Sequence, residues 1–230
     1  MALTDKLTAI ADAIRGKTGK ADGLTLEQMA TEIAGIQAGG ASLEDALAGL
    51  WPSGEMVLDR IPVNVPLFTN NQTVTKIRAT ECAFKATMAN CTALEEAEID
   101  SCSGIGSYFF QDCKALKKVK WNQGGTVSGQ FRNCSALETV DCGPNFYYIG
   151  VYFATNASSL KTLILRNPNR TIDYANANAF NGTPFASGGT GGTVYVPAAL
   201  IEAYKTATNW SALYAAGTCS FAAIEGSEYE

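Results

Sequence analysis

The chain contains no histidine. That excludes the Ser-His-Asp triad, the Cys–His nucleophile pair and any zinc site that uses imidazole. Charged residues are also scarce, 17% of the total, and the formal net charge is −5. A phosphate backbone asks for a broad basic field, so nucleic acid is not an expected partner. No uninterrupted apolar run is long enough to span a membrane, and membrane insertion is not expected. The opening "MALTDKLTAIADAIRGK" carries Asp5 and Asp12 on an amphipathic pattern. It does not read as a secretory leader, which needs a basic start and an apolar run. No CxxC pair occurs among the seven cysteines. An odd number of cysteines without a leader points to free thiols in a reducing compartment. No metal or cofactor is expected.

Hydrophobic residues make up 47% of the 230 residues, enough for a substantial core. The informative feature is a repeat. "MANCTAL" at 88–94, "FQDCKAL" at 110–116 and "FRNCSAL" at 131–137 share one template. An aromatic or Met is followed by any residue, then Asn or Asp, Cys, two more residues and Leu. "FTNNQTV" at 68–74 is an upstream copy, and "FATNASSL" at 153–160 a downstream copy with one extra residue. The equivalent slots are Asn71, Cys91, Cys113, Cys134 and Ala157, spaced 20, 22, 21 and 23 residues apart. A period of this length marks a solenoid.

Cysteine chemistry is not needed to explain the slot, because Asn71 and Ala157 also fill it. A small inward-packing residue suffices. No disulfide is expected among Cys91, Cys113 and Cys134. The preceding Asn70, Asn90, Asp112, Asn133 and Asn156 suit a turn with unusual backbone angles. Four of the seven N-x-S/T triplets fall at this turn, so the repeat accounts for them better than glycosylation does. After the turn each copy places apolar residues at fixed offsets, as in Leu137-Val140-Cys142, with the last two alternating about a polar residue. That is the period of a half-buried strand. A sixth strand at Val194–Val196 is expected to close the array.

The pattern F-x-x-C-x-x-L-x-x-I-x-I resembles the BspA-type leucine-rich repeat, from about Phe68 to Tyr214. "GTPFASGGTGGTVYVPAALIEAYKTATNWSALY" resembles the final turn and cap of that family. The resemblance implies an α/β fold, a right-handed leucine-rich-repeat solenoid with parallel strands stacked in a sheet, used for binding and not for catalysis. At the N-terminus, Leu3, Leu7, Ile10 and Ile14 mark one helical face, and Leu26, Met29, Ile33 and Ile36 a second. This predicts a helical hairpin. Its sequence is similar to a module on tail-associated proteins of phages and prophages of Gram-positive bacteria. The expected division is a hairpin at 1–38, a linker with a short helix at 39–63, the solenoid at 64–197, and a helical cap and tail at 198–230, with "EGSEYE" frayed.

The outward strand positions are Arg78, Glu98, Lys120, Asp141, Ile164 and Tyr195, and a second row is Glu95, Lys117, Glu138 and Lys161. Their alternating signs read as cross-strand charge ladders. Ile164 and Tyr195 would be apolar and exposed, hence candidates for partner contact, provided that the 166–192 excursion leaves the sheet uncovered. "GPNFYYIGVYF" at 143–153 supplies Phe146, Tyr147, Tyr148 and Tyr152 as a second candidate patch. Catalysis has little support. "GGTGG" at 188–192 lacks the lysine and helix of a phosphate loop. Glu95, Glu96 and Glu98 are flanked by opposite charges rather than set as a catalytic pair. The expected role is a non-enzymatic binding protein of a phage or prophage tail, recognising a protein or a surface glycan. The hairpin also offers a route to homo-oligomers. The expected location is the virion, or the bacterial cytoplasm before assembly. The alternatives are a BspA-type surface adhesin and an intracellular host-modulating scaffold.

Overall fold

The computed structural model describes residues 54–60, 62–63, 69–84, 87–125, 128–174 and 176–230. The expected hairpin at 1–38 and the linker's short helix, expected from Ser42 to Leu50, lie outside these residues, as does Phe68. Residues 54–230 form one compact unit.

Strand formation follows the alternation. In β5 (Glu96–Asp100), β6 (Lys118–Asn122), β7 (Thr139–Cys142) and the Ile77–Thr80 part of β3 (Val74–Thr80), buried apolar residues alternate with outward ones, and in β9 (Thr162–Leu165) Ile164 is buried as well. With β1 (Gly54–Asp59), β11 (Gly192–Val196) and β12 (Cys219–Ala223) they make an eight-stranded parallel sheet in the order β1-β3-β5-β6-β7-β9-β11-β12. Each parallel neighbour must be reached by a crossover, and here the crossover is one turn of the solenoid. Register keeps equivalent side chains side by side, as in Ile77, Ala97, Val119, Val140, Leu163 and Val194. All six are buried. Away from this sheet, β2 (Pro62–Val63) pairs with β4 (Ala83–Phe84), and β8 (Tyr148–Ile149) with β10 (Asp173–Tyr174).

The corners obey the reading of the repeat. Asn70, Asn90, Asp112, Asn133 and Asn156 all lie in the left-handed region, with φ between 58° and 65°. Asn and Asp tolerate this conformation better than other residues with a Cβ. Each amide is also used. Asn90 donates to the Gln111 carbonyl, Asp112 to Arg132 and Asn133 to Thr155, so consecutive corners are stitched together. Side chains add a second rail, with Asn156 Nδ2 donating to Asn133 Oδ1 and Asn133 Nδ2 to Asp112 Oδ1, both at 2.9 Å.

Inside the corners, Cys91, Cys113, Cys134 and Ala157 are buried, and none of the seven cysteines is in a disulfide. The thiols make weak hydrogen bonds to the preceding turn: Cys113 to the Met88 carbonyl at 3.1 Å and Cys134 to the Phe110 carbonyl at 3.0 Å. Asn71 differs. Its Oδ1 accepts from the amides of Thr73 and Val74, so it closes the first described turn locally. Next to the thiols runs an aromatic column. Phe110, Phe131, Phe153 and Phe180 follow one another with ring centroids 5.1–6.0 Å apart. Fully burying one such ring contributes about 1.5–3 kcal/mol.

Three features differ from the expectations. First, 166–192 is not an excursion. It contains a further turn, "FNGT" at Phe180–Thr183, with Gly182 at φ +72° in the Asn slot and buried Thr183 in the Cys slot. The glycine-rich 188–192 is the insertion that lengthens this turn. Second, the array does not close at Val194–Val196. β12 pairs in parallel beyond it, and β1, within the expected linker, starts the sheet. Third, the tail is ordered. Ile224 and Ser227 are bonded through the backbone to Val196 and Ile224, and the Gly226 amide donates to Glu230 Oε2.

The cap forms largely as expected. Pro197 precedes a 3-10 turn at Ala198–Leu200, followed by α1 (Ile201–Thr206) and α2 (Trp210–Ala215). Tyr204 and Trp210 are buried against the last turn. Trp210 Nε1 donates to the Ile172 carbonyl at 2.6 Å, and the Ile172 amide donates to Tyr204 Oη at 2.9 Å. Both ends of one peptide segment are thus satisfied by the cap, which also seals the apolar interior.

Candidate functional site

The outward face of the main sheet carries the expected row in perfect register: Arg78, Glu98, Lys120, Asp141, Ile164 and Tyr195 lie on successive strands. β1 adds Val57 before them, 68% exposed. Two positions earlier on each strand runs another row, Lys76, Glu96, Lys118, Thr139, Thr162 and Thr193. The same repeat period contains this row, though the candidate residues were taken from its neighbour.

Ion pairing is uneven along the ladders. Lys76 meets Glu96 at 2.8 Å, Arg78 reaches Glu55 at 3.2 Å and Glu98 at 3.6 Å, and Lys117 meets Glu95 at 2.9 Å. Asp141 turns from Lys120 and is gripped by Arg166, with Nε at 2.7 Å from one oxygen and Nη2 at 3.0 Å from the other. This two-point contact raises the Arg166 pKa above its ordinary value. The Lys76 hydrogen bond holds the Glu96 carboxyl below its usual range. Among the described residues, Lys118 and Lys120 have no ion-pair partner. Both are exposed.

Ile164 is not exposed. It is buried, with 1% of its surface accessible. The reason is the ordered tail. Tyr229 packs edge-on against Tyr195 with centroids 4.6 Å apart, and Arg166 Nη2 donates to the Tyr229 carbonyl at 2.7 Å. Tyr195 is accordingly half-buried. The two residues do sit in register, as expected, but as a floor under the tail and not as an open apolar patch. Beside the tail the sheet surface forms a cleft of about 320 Å³. Lys118, Lys120, Thr139 and Asp141 line it, together with the paired Lys76, Arg78, Glu96 and Glu98 and the tail residues Glu228 and Tyr229. Arg166, Glu228 and Tyr229 were not legible as site residues, because nothing in a polar terminal stretch signals that it folds back.

The aromatic segment divides as well. Phe146 is fully buried, and its carbonyl accepts from Asn167 Nδ2 at 2.9 Å. It belongs to the core because the turn at Gly143–Phe146 brings it inward, while Tyr147 and Tyr148 face out before Ile149 is buried again. Tyr147, Tyr148 and Tyr152 remain exposed, at 55%, 37% and 38%. Among the described residues no ring contact joins these three. Tyr147 lies over Gly124 and Gly125, where a side chain would collide with it, and Tyr152 lies under the Arg132 guanidinium at 5.9 Å. Tyr152 also adopts φ +58°, a strained conformation for a bulky residue.

The family model for the BspA type leucine rich repeat region matches residues 66–187 in six copies, more than half of the chain. This protein belongs to the BspA-type leucine-rich-repeat family. No curated protein and no solved structure matches the chain. Members of this family are typically non-enzymatic, and a repeat surface of this kind is consistent with protein binding. Six of the seven thiols are buried, with only Cys102 half-exposed. Among the described residues no three potential ligands converge on a metal position, and no helix is long and apolar enough to cross a membrane.

Proposed function

We propose that this chain is a non-enzymatic binding protein of a phage or prophage tail, attached through residues 1–38 and recognising a protein or a surface glycan through its repeat region. The observation that carries the binding half is the charged cleft on the outward sheet face, lined by Lys118 and Lys120, which have no ion-pair partner among the described residues. Stacked parallel strands keep this surface rigid, and its two unpaired lysines are left over from the cross-strand ion pairs. Exposed Tyr147, Tyr148 and Tyr152 supply a second contact area, since tyrosine offers a large, stiff, amphipathic face to proteins and sugars. The tail half rests on the N-terminal sequence, "LTAIADAIRGKTGKADGLTLEQMATEIAGI", through its likeness to tail-associated modules.

The test is direct. The full-length chain, carrying an epitope tag, is expressed from its own locus, and particles are purified through a density gradient. Recovery with the particles supports the tail assignment. Recovery only in the cell wall fraction replaces it with the adhesin reading, and recovery only in cytosol replaces it with the intracellular scaffold.

A further inference from the structure

We infer that the cleft beside the tail takes an extended acidic segment of a partner protein, with two carboxylates in an acid-x-acid pattern seated on Lys118 and Lys120. The inference deepens the binding reading above and rests on it, but it does not depend on the tail assignment.

Lys118 and Lys120 are two residues apart on β6, so they emerge on the same face. A strand rises about 3.3 Å per residue, which puts their bases about 6.6 Å apart. An extended peptide repeats its own same-side residues at that spacing. Alternate acidic side chains therefore match the pair without distortion. The charges around the two lysines are engaged elsewhere. Lys120 sits in register between Glu98 and Asp141, whose carboxylates go to Arg78 and Arg166. Lys118 sits between Glu96, held by Lys76, and uncharged Thr139. The two cations thus make no ion pair of their own among the described residues, in a cleft whose carboxylates other than Glu228 are paired with other cations.

The geometry favours a short acidic segment over a long polyanion. Only two lysines are available, so a long phosphate chain would find few cations along its length. The tail shows that this face takes a polypeptide segment: Tyr229 packs on Tyr195 and its carbonyl accepts from Arg166, while Glu230 turns back to the Gly226 amide.

The probe is a short fluorescent threonine-rich peptide with a central Glu-Thr-Glu, titrated against the full chain by anisotropy. A Gln-Thr-Gln peptide and a single-stranded oligonucleotide of similar length serve as comparators. The acidic peptide is expected to bind, and the Lys118→Gln/Lys120→Gln variant to bind it about fivefold to tenfold more weakly. Raising the salt should narrow that gap, since exposed pairs are screened. Lys114→Gln, an exposed change outside the cleft, should leave binding unaltered. The lysines are exposed, so the double variant should unfold at the same urea concentration as the parent. The inference is overturned if the acidic peptide does not bind, if the double variant binds it as well as the parent, or if the oligonucleotide binds more tightly. Any of these can occur while the chain is still recovered with phage particles, so the two readings fail separately.

Discussion

Tyr229 stands edge-on to Tyr195, their ring centroids 4.6 Å apart and their planes at 66°, although 34 residues separate them in sequence. The contact turns a terminal segment into part of the sheet surface and puts Ile164 out of reach of water. Tyr229→Ala should therefore lower stability by about 1–2 kcal/mol, the worth of an aromatic pair plus partial exposure of Ile164. Urea denaturation measures it. An unchanged midpoint would mean that the tail rests on the sheet without contributing to the fold.

The second prediction concerns two ion pairs of different kinds. Asp141 and Arg166 make a two-point contact with side chains only 18% and 30% exposed, while Glu95 and Lys117 are about half exposed. A double-mutant cycle to alanine should give a coupling of about 1–2 kcal/mol for the first and about 0.2–1 kcal/mol for the second. In high salt the second should fall further than the first. Equal couplings would contradict the role given to Arg166 in fixing the tail.

At the corner slot, Cys113→Ala should cost about 1 kcal/mol, because the site accepts alanine at 157 with the same burial. Cys113→Asp should cost several kcal/mol or prevent folding, since a carboxylate there would be buried without a cation. Thermal melts of the two variants decide it. A benign aspartate would show that the interior at this corner is wet.

The thiols should also separate by reactivity. Cys102 is half-buried, and burial pushes its thiol up to about 11. The thiolate is the reactive form, so Cys102 labelling should rise about tenfold per pH unit towards that value. Burial pushes Cys134 and Cys142 further up. These two should label only when the chain unfolds. Mass mapping after brief alkylation at several pH values tests this, and labelling of Cys134 at the Cys102 rate would refute the packed corner.

Much of the solenoid was legible because its constraints are local. An Asn at positive φ, a small residue after it and an alternating strand recur wherever one turn stacks on another. The reading failed where a different residue meets the same constraint. Gly182 replaces Asn and Thr183 replaces Cys, so the last turn looked like a loop once glycines 188–192 had stretched it. β1 and β12 were missed for another reason. Each is paired on one side by the array and has no turn motif of its own ahead of it. Ile164 was misread because alternation shows that a side chain leaves the sheet, and says nothing about a segment more than 60 residues away that arrives to cover it.

The corner rail has a consequence for how such a protein changes over time. Asn156 bonds to Asn133, and Asn133 to Asp112, by the same amide-to-oxygen contact repeated at one-turn intervals. The backbone bond from each corner amide to the next turn, from Asn70 through Asn156, repeats the same way, so these turns present matching upper and lower faces. An in-frame genetic duplication or loss of about one repeat, near 22 residues, would leave the ends able to join again. The length of the outward sheet face can change by whole steps, while the two terminal elements, which have only one such face each, stay where they are.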